Sequence, residues 1–267
     1  MGKMSENEPL PKRATWMRTQ GRTSVVGHRG AMGVCPENTL GAFEHAASLG
    51  AEWIELDVRL SKDGVPMVLH DASLERTTSG RGPIASQRAT ALEKLDAGTW
   101  FHERFGRERL PRLDAVLAWA KGRGIRVEIE MKGEPTTDER LPRAVLDCVA
   151  RHEMKRDVLL ISFDHHATKQ AKAIEPTVRT GVLYIARPVD EIALARNARA
   201  DVLLPHASFV SSESVRAAHA KGLAIATWAS SDPAFLRTLV ATGIDGITVD
   251  HPDALRKVLS RARPKQT

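Results

Sequence analysis

The sequence predicts an α/β fold, a closed (β/α)8 barrel of the TIM type. Short β-branched or apolar runs alternate with helical patterns from residue 24 to residue 262. Only one gap between such runs is too short for a crossover helix, and setting that return strand aside leaves eight strand-plus-connection units. Parallel neighbours need crossover connections, so this alternation implies a parallel sheet, and eight units close it into a barrel. A doubly wound open sheet is the alternative architecture.

In chain order, residues 1–23 are expected to form a flexible N-terminal tail and residues 24–263 a single domain. The expected strands are Ser24–Gly27, Trp53–Val58, Val65–Leu69, Arg126–Met131, Val158–Ser162, Thr180–Tyr184, Asp201–Leu204, Leu223–Trp228 and Gly246–Val249. The short gap is Ser61-Lys62-Asp63-Gly64, which is hairpin chemistry and places a β-hairpin after the second strand. Asp71–Arg109 has turn residues and weak periodicity, so it reads as a small insertion. Helices are expected at Thr39–Leu49, Leu113–Lys121, Glu139–His152, His165–Ile174, Val189–Ala198, Ser211–Lys221, Pro233–Thr242 and Asp253–Ala262. Gly50, Gly122 and Gly222 stand where three of these should stop.

The 267 residues carry 39 Lys and Arg against 33 Asp and Glu, a net charge of +6, and 42% are apolar. This composition excludes collagen-like, coiled-coil and disordered classes. A chain of this size buries about three-quarters of its unfolded surface and needs no disulfide staples. No apolar run approaches the roughly 18 residues of a membrane span, so stable membrane insertion is not expected. The N-terminus has charges and prolines where an export signal needs an apolar stretch, and Cys35 and Cys148 lie far apart, so a cytoplasmic location is expected. Much of the positive excess falls near the chain ends. Aromatics are only 4% and are not interleaved with basic residues in any nucleic-acid-binding spacing, so no nucleic-acid partner is expected. The charge reads as solubility or as attraction for an anionic small molecule.

The chemical signal lies where charged residues interrupt strands. Glu55 and Asp57 are two apart, so both face one side while Ile54, Leu56 and Val58 face the other. Two carboxylates inside a barrel repel each other and are desolvated, and they stay ionised only beside a compensating cation. The same parity puts Glu128, Glu130 and Lys132 on one face, with Glu130 and Lys132 nearest the mouth where barrel sites lie. Carboxylate oxygens suit a hard divalent ion, Mg2+ or Ca2+, better than zinc. A salt-bridged structural network is the competing explanation.

Two histidines converge on these carboxylates. His28 ends the first strand, and counting back through the hairpin turn sets His70 opposite Glu55 or its neighbours. A neutral and a protonated imidazole serve as base and acid near neutral pH. A lone strand-end histidine is more often only hydrogen-bonded, but two of them beside three carboxylates and Arg29 outweigh that. Arg29 suits a phosphate or carboxylate. Pro36-Glu37-Asn38-Thr39 opens a helix, with Asn38 or Thr39 as the cap and its N–H groups available to an anion. His102, His152, His165, His166, His206, His219 and His251 lack such company and read mostly as surface or loop residues. Asp164 reads as a helix cap, and Cys35 as a small buried thiol.

Taken in order, His28-Arg29-Gly30, Pro36-Glu37-Asn38-Thr39, Glu55-Leu56-Asp57-Val58, Lys62-Asp63-Gly64, His70-Asp71 and Arg76-Thr77-Thr78 resemble the glycerophosphodiester phosphodiesterases. Further likenesses are Leu110-Pro111, Glu128-Ile129-Glu130-Met131-Lys132, Ser162-Phe163 and the run from Gly243 to Asp250. The motifs span about residues 24 to 255, and the first fifty are specific as an ordered set. The resemblance implies a barrel that hydrolyses a small-molecule glycerophosphodiester to glycerol 3-phosphate and an alcohol. It implies Glu55, Asp57 and Glu130 as ligands of one divalent cation, Mg2+ or Ca2+ with Mn2+ a third candidate. It implies His28 and His70 as the acid–base pair, Arg29 and Lys132 as phosphate arms, Glu37 and Asn38 as supports, and Trp228 as a wall around the glycerol or alcohol group. Water and the glycerol 2-hydroxyl both stand as first nucleophile.

Two positions depart from the family pattern. Many members carry Trp-Thr-Val-Asn where this chain has Trp228-Ala229-Ser230-Ser231, so a hydrogen bond from Asn is lost at Ser231. Arg112 stands where Thr is common. The alternatives to the phosphodiesterase reading are lysophospholipase D activity at the same site and a non-catalytic phosphoglycerol-binding module. The first needs an apolar approach for an acyl chain, and no amphipathic lid is evident. The second requires loss of acid–base or ligand residues, and all are present. A nucleic-acid phosphodiesterase lacks the stacking aromatics it would need.

Overall fold

The computed structural model describes residues 14–133, 139–228 and 231–261. Eight parallel strands close into a barrel: β1 (Ser24–Gly27), β2 (Trp53–Leu60), β4 (Arg126–Met131), β5 (Val158–Ser162), β6 (Arg179–Tyr184), β7 (Val202–Pro205), β8 (Ala224–Trp228) and β9 (Gly246–Val249). Closure is by β1, which pairs with β9 on one side and β2 on the other. The open-sheet alternative is thereby excluded.

The return strand β3 (Pro66–Val68) does more than end a hairpin. β1 pairs only with Trp53 and Ile54 at the start of β2, and β3 takes Val58–Leu60 further up in antiparallel register. The turn is held by Gly64 at φ 76°, a left-handed value that glycine adopts without strain, and by Ser61 accepting from the Val65 amide. β3 therefore stands beside β2 at the mouth, with His70 just past its end.

Strand parity is as the sequence predicts. Ile54, Leu56 and Val58 face outward into the main core beneath the helices, while Trp53 joins a separate core that fills the lumen with Val26, Leu159, Ile161, Leu183, Val202 and Leu204. Glu55 and Asp57 share the inward face with Trp53. The helices of the outer layer are α1 (Leu40–Ser48), α3 (Leu113–Arg123), α4 (Arg140–Arg151), α5 (His165–Ile174), α6 (Glu191–Ala198), α7 (Ser212–Ala220), α8 (Pro233–Ala241) and α9 (Pro252–Arg261). The expected Gly122 stop is not used. α3 runs through it and ends at Gly124, which takes φ 64°. An interior glycine weakens a helix by about 1 kcal/mol but ends it only where the left-handed conformation is adopted.

The expectation of a loose N-terminal tail is corrected for residues 14–23. Residues 1–13 and the C-terminal residues from 262 lie outside the described residues. A 3-10 turn over Ala14–Met17 closes the bottom of the lumen. Trp16 meets Trp53 edge-on at 5.9 Å, and Met17 is fully buried against Gly246, where any Cβ would lie 2.6 Å from the Met17 methyl. Arg18 then pairs with Asp245 at 2.7 Å, and that carboxylate also holds His219 at 2.8 Å. His219 is thus a buried structural histidine, not a surface one. A seal of this kind is invisible to periodicity, because it is made by a segment too short to show any. Met17→Ala should lower unfolding stability by about 2–4 kcal/mol through loss of buried surface and the cavity left behind. An unchanged urea midpoint would place this segment outside the cooperative fold.

The insertion Asp71–Arg109 has its own small core of Leu74, Ile84, Ala89, Leu92 and Ala97 against Met67, Leu69 and Leu110. It includes the single-turn helix α2 (Ala89–Leu92). That satellite core fixes the segment onto the hairpin beside the barrel mouth.

Candidate active site

Ladder register explains why the carboxylates meet. β2 and β4 pair in parallel with Glu55 opposite Glu128 and Asp57 opposite Glu130. Glu55, Asp57 and Glu130 are buried and offer oxygens that all lie within 4.8 Å of one another. Like charges at this distance need a cation, and the chain supplies two. Lys132 Nζ is 2.7 Å from Glu130 Oε1 and 3.4 Å from Asp57 Oδ1, and Arg29 Nε is 3.2 Å from Asp57 Oδ2. Asn38 donates to Asp57 Oδ2 at 2.8 Å, and the Arg29 amide donates to Glu55 Oε2 at 2.9 Å.

Two cations are not enough for three carboxylates and the buried Glu128. Burial, then Asp57, pushes Glu55 up to about 8, and the same two causes push Glu130 up to about 7. Asp57 is buried too, but Arg29 and Lys132 hold it below the usual carboxylate range. Its Oδ1 accepts no hydrogen bond although it is sequestered from solvent. A buried anionic oxygen that accepts no hydrogen bond and has only the Lys132 ammonium nearby at 3.4 Å, inside an all-oxygen cluster, fits a hard divalent cation.

His28 and His70 flank the cluster from β1 and from the end of β3. His28 Nδ1 lies 2.7 Å from Asp250 Oδ1, and His70 Nδ1 lies 2.6 Å from Asp71 Oδ1. Their environments move them apart. Burial opposes charge on His28, but the Asp250 hydrogen bond and the Glu55 charge outweigh it, and its pKa is raised. For His70 burial dominates, Arg29 and Lys132 add to it, and the pKa is lowered.

The chain pins these groups in ways the sequence did not reveal. Arg59 on β2 donates to the carbonyls of His70 (2.8 Å) and Lys132 (3.3 Å). Arg29 and Asn38 adopt φ 48° and φ 61°, values that Arg in particular rarely takes, and the Asn38 amide donates to the Arg29 carbonyl at 3.0 Å. Arg29 Nη1 also donates to Glu37 at 2.8 Å. Thr39, one of the two expected caps, accepts from the Ala42 amide.

A cavity of about 230 Å³ opens here at the C-terminal mouth. One side is ionic, with His28, Arg29, Glu55, His70, Glu130 and Lys132. The other is apolar, formed by Ile161, Phe163, Leu183, Ile185, Leu204 and Trp228 from β5 to β8. Glu128 and Thr248 lie at the floor, where the Thr248 hydroxyl donates to Glu128 at 3.2 Å and burial pushes Glu128 up to about 8. Phe163 and His206 pack edge-on against Trp228 at 5.6 and 4.9 Å. A larger cavity, about 720 Å³, opens beside Trp16 at the other end of the barrel. Its Lys172, Arg199 and Lys221 sit at helix C-termini, where cations offset the negative helix ends, and no histidine lines it.

The model of the Glycerophosphoryl diester phosphodiesterase family matches residues 28–254. The chain belongs to that family. Glycerophosphodiester phosphodiesterases are phosphoric diester hydrolases, and the chain is an enzyme of this class. It is 32% identical over 234 residues to the glycerophosphodiester phosphodiesterase of Caldanaerobacter subterraneus, covering 88% of this chain and 96% of the relative. It is 33% identical to the putative glycerophosphodiester phosphodiesterase YhdW of Bacillus subtilis, covering 87% and 96%. Among solved structures, an Oleispira antarctica phosphodiesterase in complex with the product sn-glycerol-3-phosphate superposes with a TM-score of 0.84 at 29% identity, covering 90% and 97%.

Against the family pattern, the Ser231 hydroxyl of this phosphodiesterase accepts from the His251 amide at 3.3 Å, while Ala229 and Ser230 lie outside the described residues. Arg112 pairs with Glu93 at 2.7 Å and does not line the cavity. Cys35 and Cys148 are both buried and free, and burial pushes each thiol up. Among the described residues no helix is long and apolar enough to cross a membrane.

Proposed function

We propose that this chain hydrolyses glycerophosphodiesters to glycerol 3-phosphate and an alcohol, using one divalent cation held by Glu55, Asp57 and Glu130. The observation that carries this reading is the cluster of three buried carboxylates, one with an oxygen that accepts no hydrogen bond, set between two histidines of opposite pKa shift. The solved relative that holds sn-glycerol-3-phosphate supports the product. A bound cation supplies charge neutralisation at a phosphoryl oxygen. Mg2+ and Ca2+ are the first candidates, with Mn2+ third.

The remaining steps belong to side chains. Arg29 and Lys132 hold the phosphate beside the carboxylates, with Glu37 and Asn38 orienting Arg29 and Asp57. His70, whose lowered pKa keeps it neutral near pH 7, takes the proton of the attacking oxygen. His28, whose raised pKa favours the imidazolium, gives a proton to the leaving alkoxide. Trp228 and Phe163 offer an apolar wall to the carbon skeleton. The location proposed for this activity is the cytoplasm, and the substrate is a free small molecule.

The test is release of glycerol 3-phosphate from glycerophosphocholine with EDTA, then with added Mg2+, Ca2+ or Mn2+. Release that returns with metal is expected. Binding of glycerol 3-phosphate with no turnover under any metal would favour the non-catalytic module instead. The second reading, lysophospholipase D activity, has one observation in its favour: Phe163, Ile185 and Val189 are exposed, the first two on the cavity wall. Lysophosphatidylcholine in the same assay separates the two.

A further inference from the structure

Arg76, in the insertion, makes four hydrogen bonds to two carboxylates. Its Nη1 and Nη2 reach Glu37 Oε2 and Oε1 at 2.7 and 2.8 Å, and its Nε and Nη2 reach Asp71 Oδ2 and Oδ1 at 2.6 and 3.0 Å. Each carboxylate has a second partner at the cavity: Glu37 holds Arg29 at 2.8 Å, and Asp71 holds His70 at 2.6 Å. One guanidinium thus joins the end of β3 to the loop after β1.

The local fold is built to present it. Leu74, two residues before, is fully buried in the satellite core, and Thr77 and Thr78 are buried as well. The Thr78 amide and hydroxyl both donate to the Leu74 carbonyl, at 3.1 and 2.6 Å, which closes a turn with Arg76 at its tip. The Arg76 side chain remains 44% exposed and does not line the cavity, so it acts through other groups. A planar guanidinium offers five donors in a fixed fork, whereas lysine offers a single point of charge. Only the fork can hold both carboxylates in the orientations that His70 and Arg29 need.

We infer that Arg76 is a positioning residue that sets the acid–base imidazole of His70 and the phosphate arm Arg29 in one mutual geometry. This rests on the roles given to those two groups in the proposed reaction. Held groups displaced by about 1 Å lose on the order of 10²-fold in rate. Arg76→Ala is therefore expected to lower kcat for glycerophosphocholine about 10- to 100-fold, with the urea midpoint of the wild type. Arg76→Lys should keep most of that loss. Double variants with Glu37→Gln and with Asp71→Asn should lose less than the product of the single losses, because each pair acts as a unit.

Wild-type kcat in Arg76→Ala, full recovery in Arg76→Lys, or strictly multiplicative losses in both double variants would overturn the inference. So would a fall in the urea midpoint that parallels the loss of rate, which would mark a structural role. No turnover by the wild-type chain with any metal would overturn the reaction reading itself, and the positioning role with it.

Discussion

His70→Ala and His28→Ala are each expected to lower turnover of glycerophosphocholine by about 10²- to 10⁴-fold, the range for loss of a general acid or base. The opposite shifts of the two imidazoles predict different effects on the pH profile. A base must be deprotonated, so activity falls as pH drops through the lowered pKa of His70. An acid must be protonated, so activity falls as pH rises through the raised pKa of His28. The wild type should show a plateau between these limbs. With the cation saturating at every pH, the residual activity of His70→Ala should lack the acid limb, and that of His28→Ala the alkaline limb. A single-turnover rate near wild type in either variant would sink the role of that histidine, and exchanged limbs would reverse the assignment.

Glu55→Gln should weaken binding of a divalent cation by at least about 100-fold, more than loss of an outer-shell partner costs, and should abolish turnover. The fold is expected to survive this change. Burial pushes Glu55 up to about 8, which favours its protonated form near neutral pH, and the amide retains that shape. The same fact fixes the pH dependence. Cation binding displaces the protons held by Glu55 (about 8) and Glu130 (about 7), so protons compete with the cation below those values. Affinity should rise with pH, most steeply below about 7, and level off above about 8. Calorimetry in two buffers of different ionisation enthalpy reads both the affinity and the protons released. Affinity independent of pH, or no proton release, would mean that these carboxylates are not the ligands.

The two predictions draw on different parts of the molecule. The carboxylate cluster is a property of two adjacent strands, and register alone builds it. The histidine pair depends on the hairpin that carries His70 over β2 and on barrel closure that brings Asp250 to His28. A change that loosens the hairpin should therefore harm acid–base catalysis before it harms cation binding.

The sequence by itself determined the barrel, the hairpin after its second strand, and the inward face shared by Glu55, Asp57 and Glu130. It could do so because these features are local: side-chain alternation along a strand has period two, a four-residue turn admits few residues, and adjacent strands inherit their faces from that period. Only the tertiary structure decided that Asp250 meets His28 across 222 residues, that Arg59 reaches the His70 carbonyl and Arg76 the Glu37 and Asp71 carboxylates, and that residues 14–23 close the lumen. The burial of His219 is hidden from the sequence for the same cause, since its partner Asp245 is on another strand connection. Such pairings are set where a closed barrel brings distant segments together, and no local pattern of apolar and polar residues encodes which charged groups will then face one another.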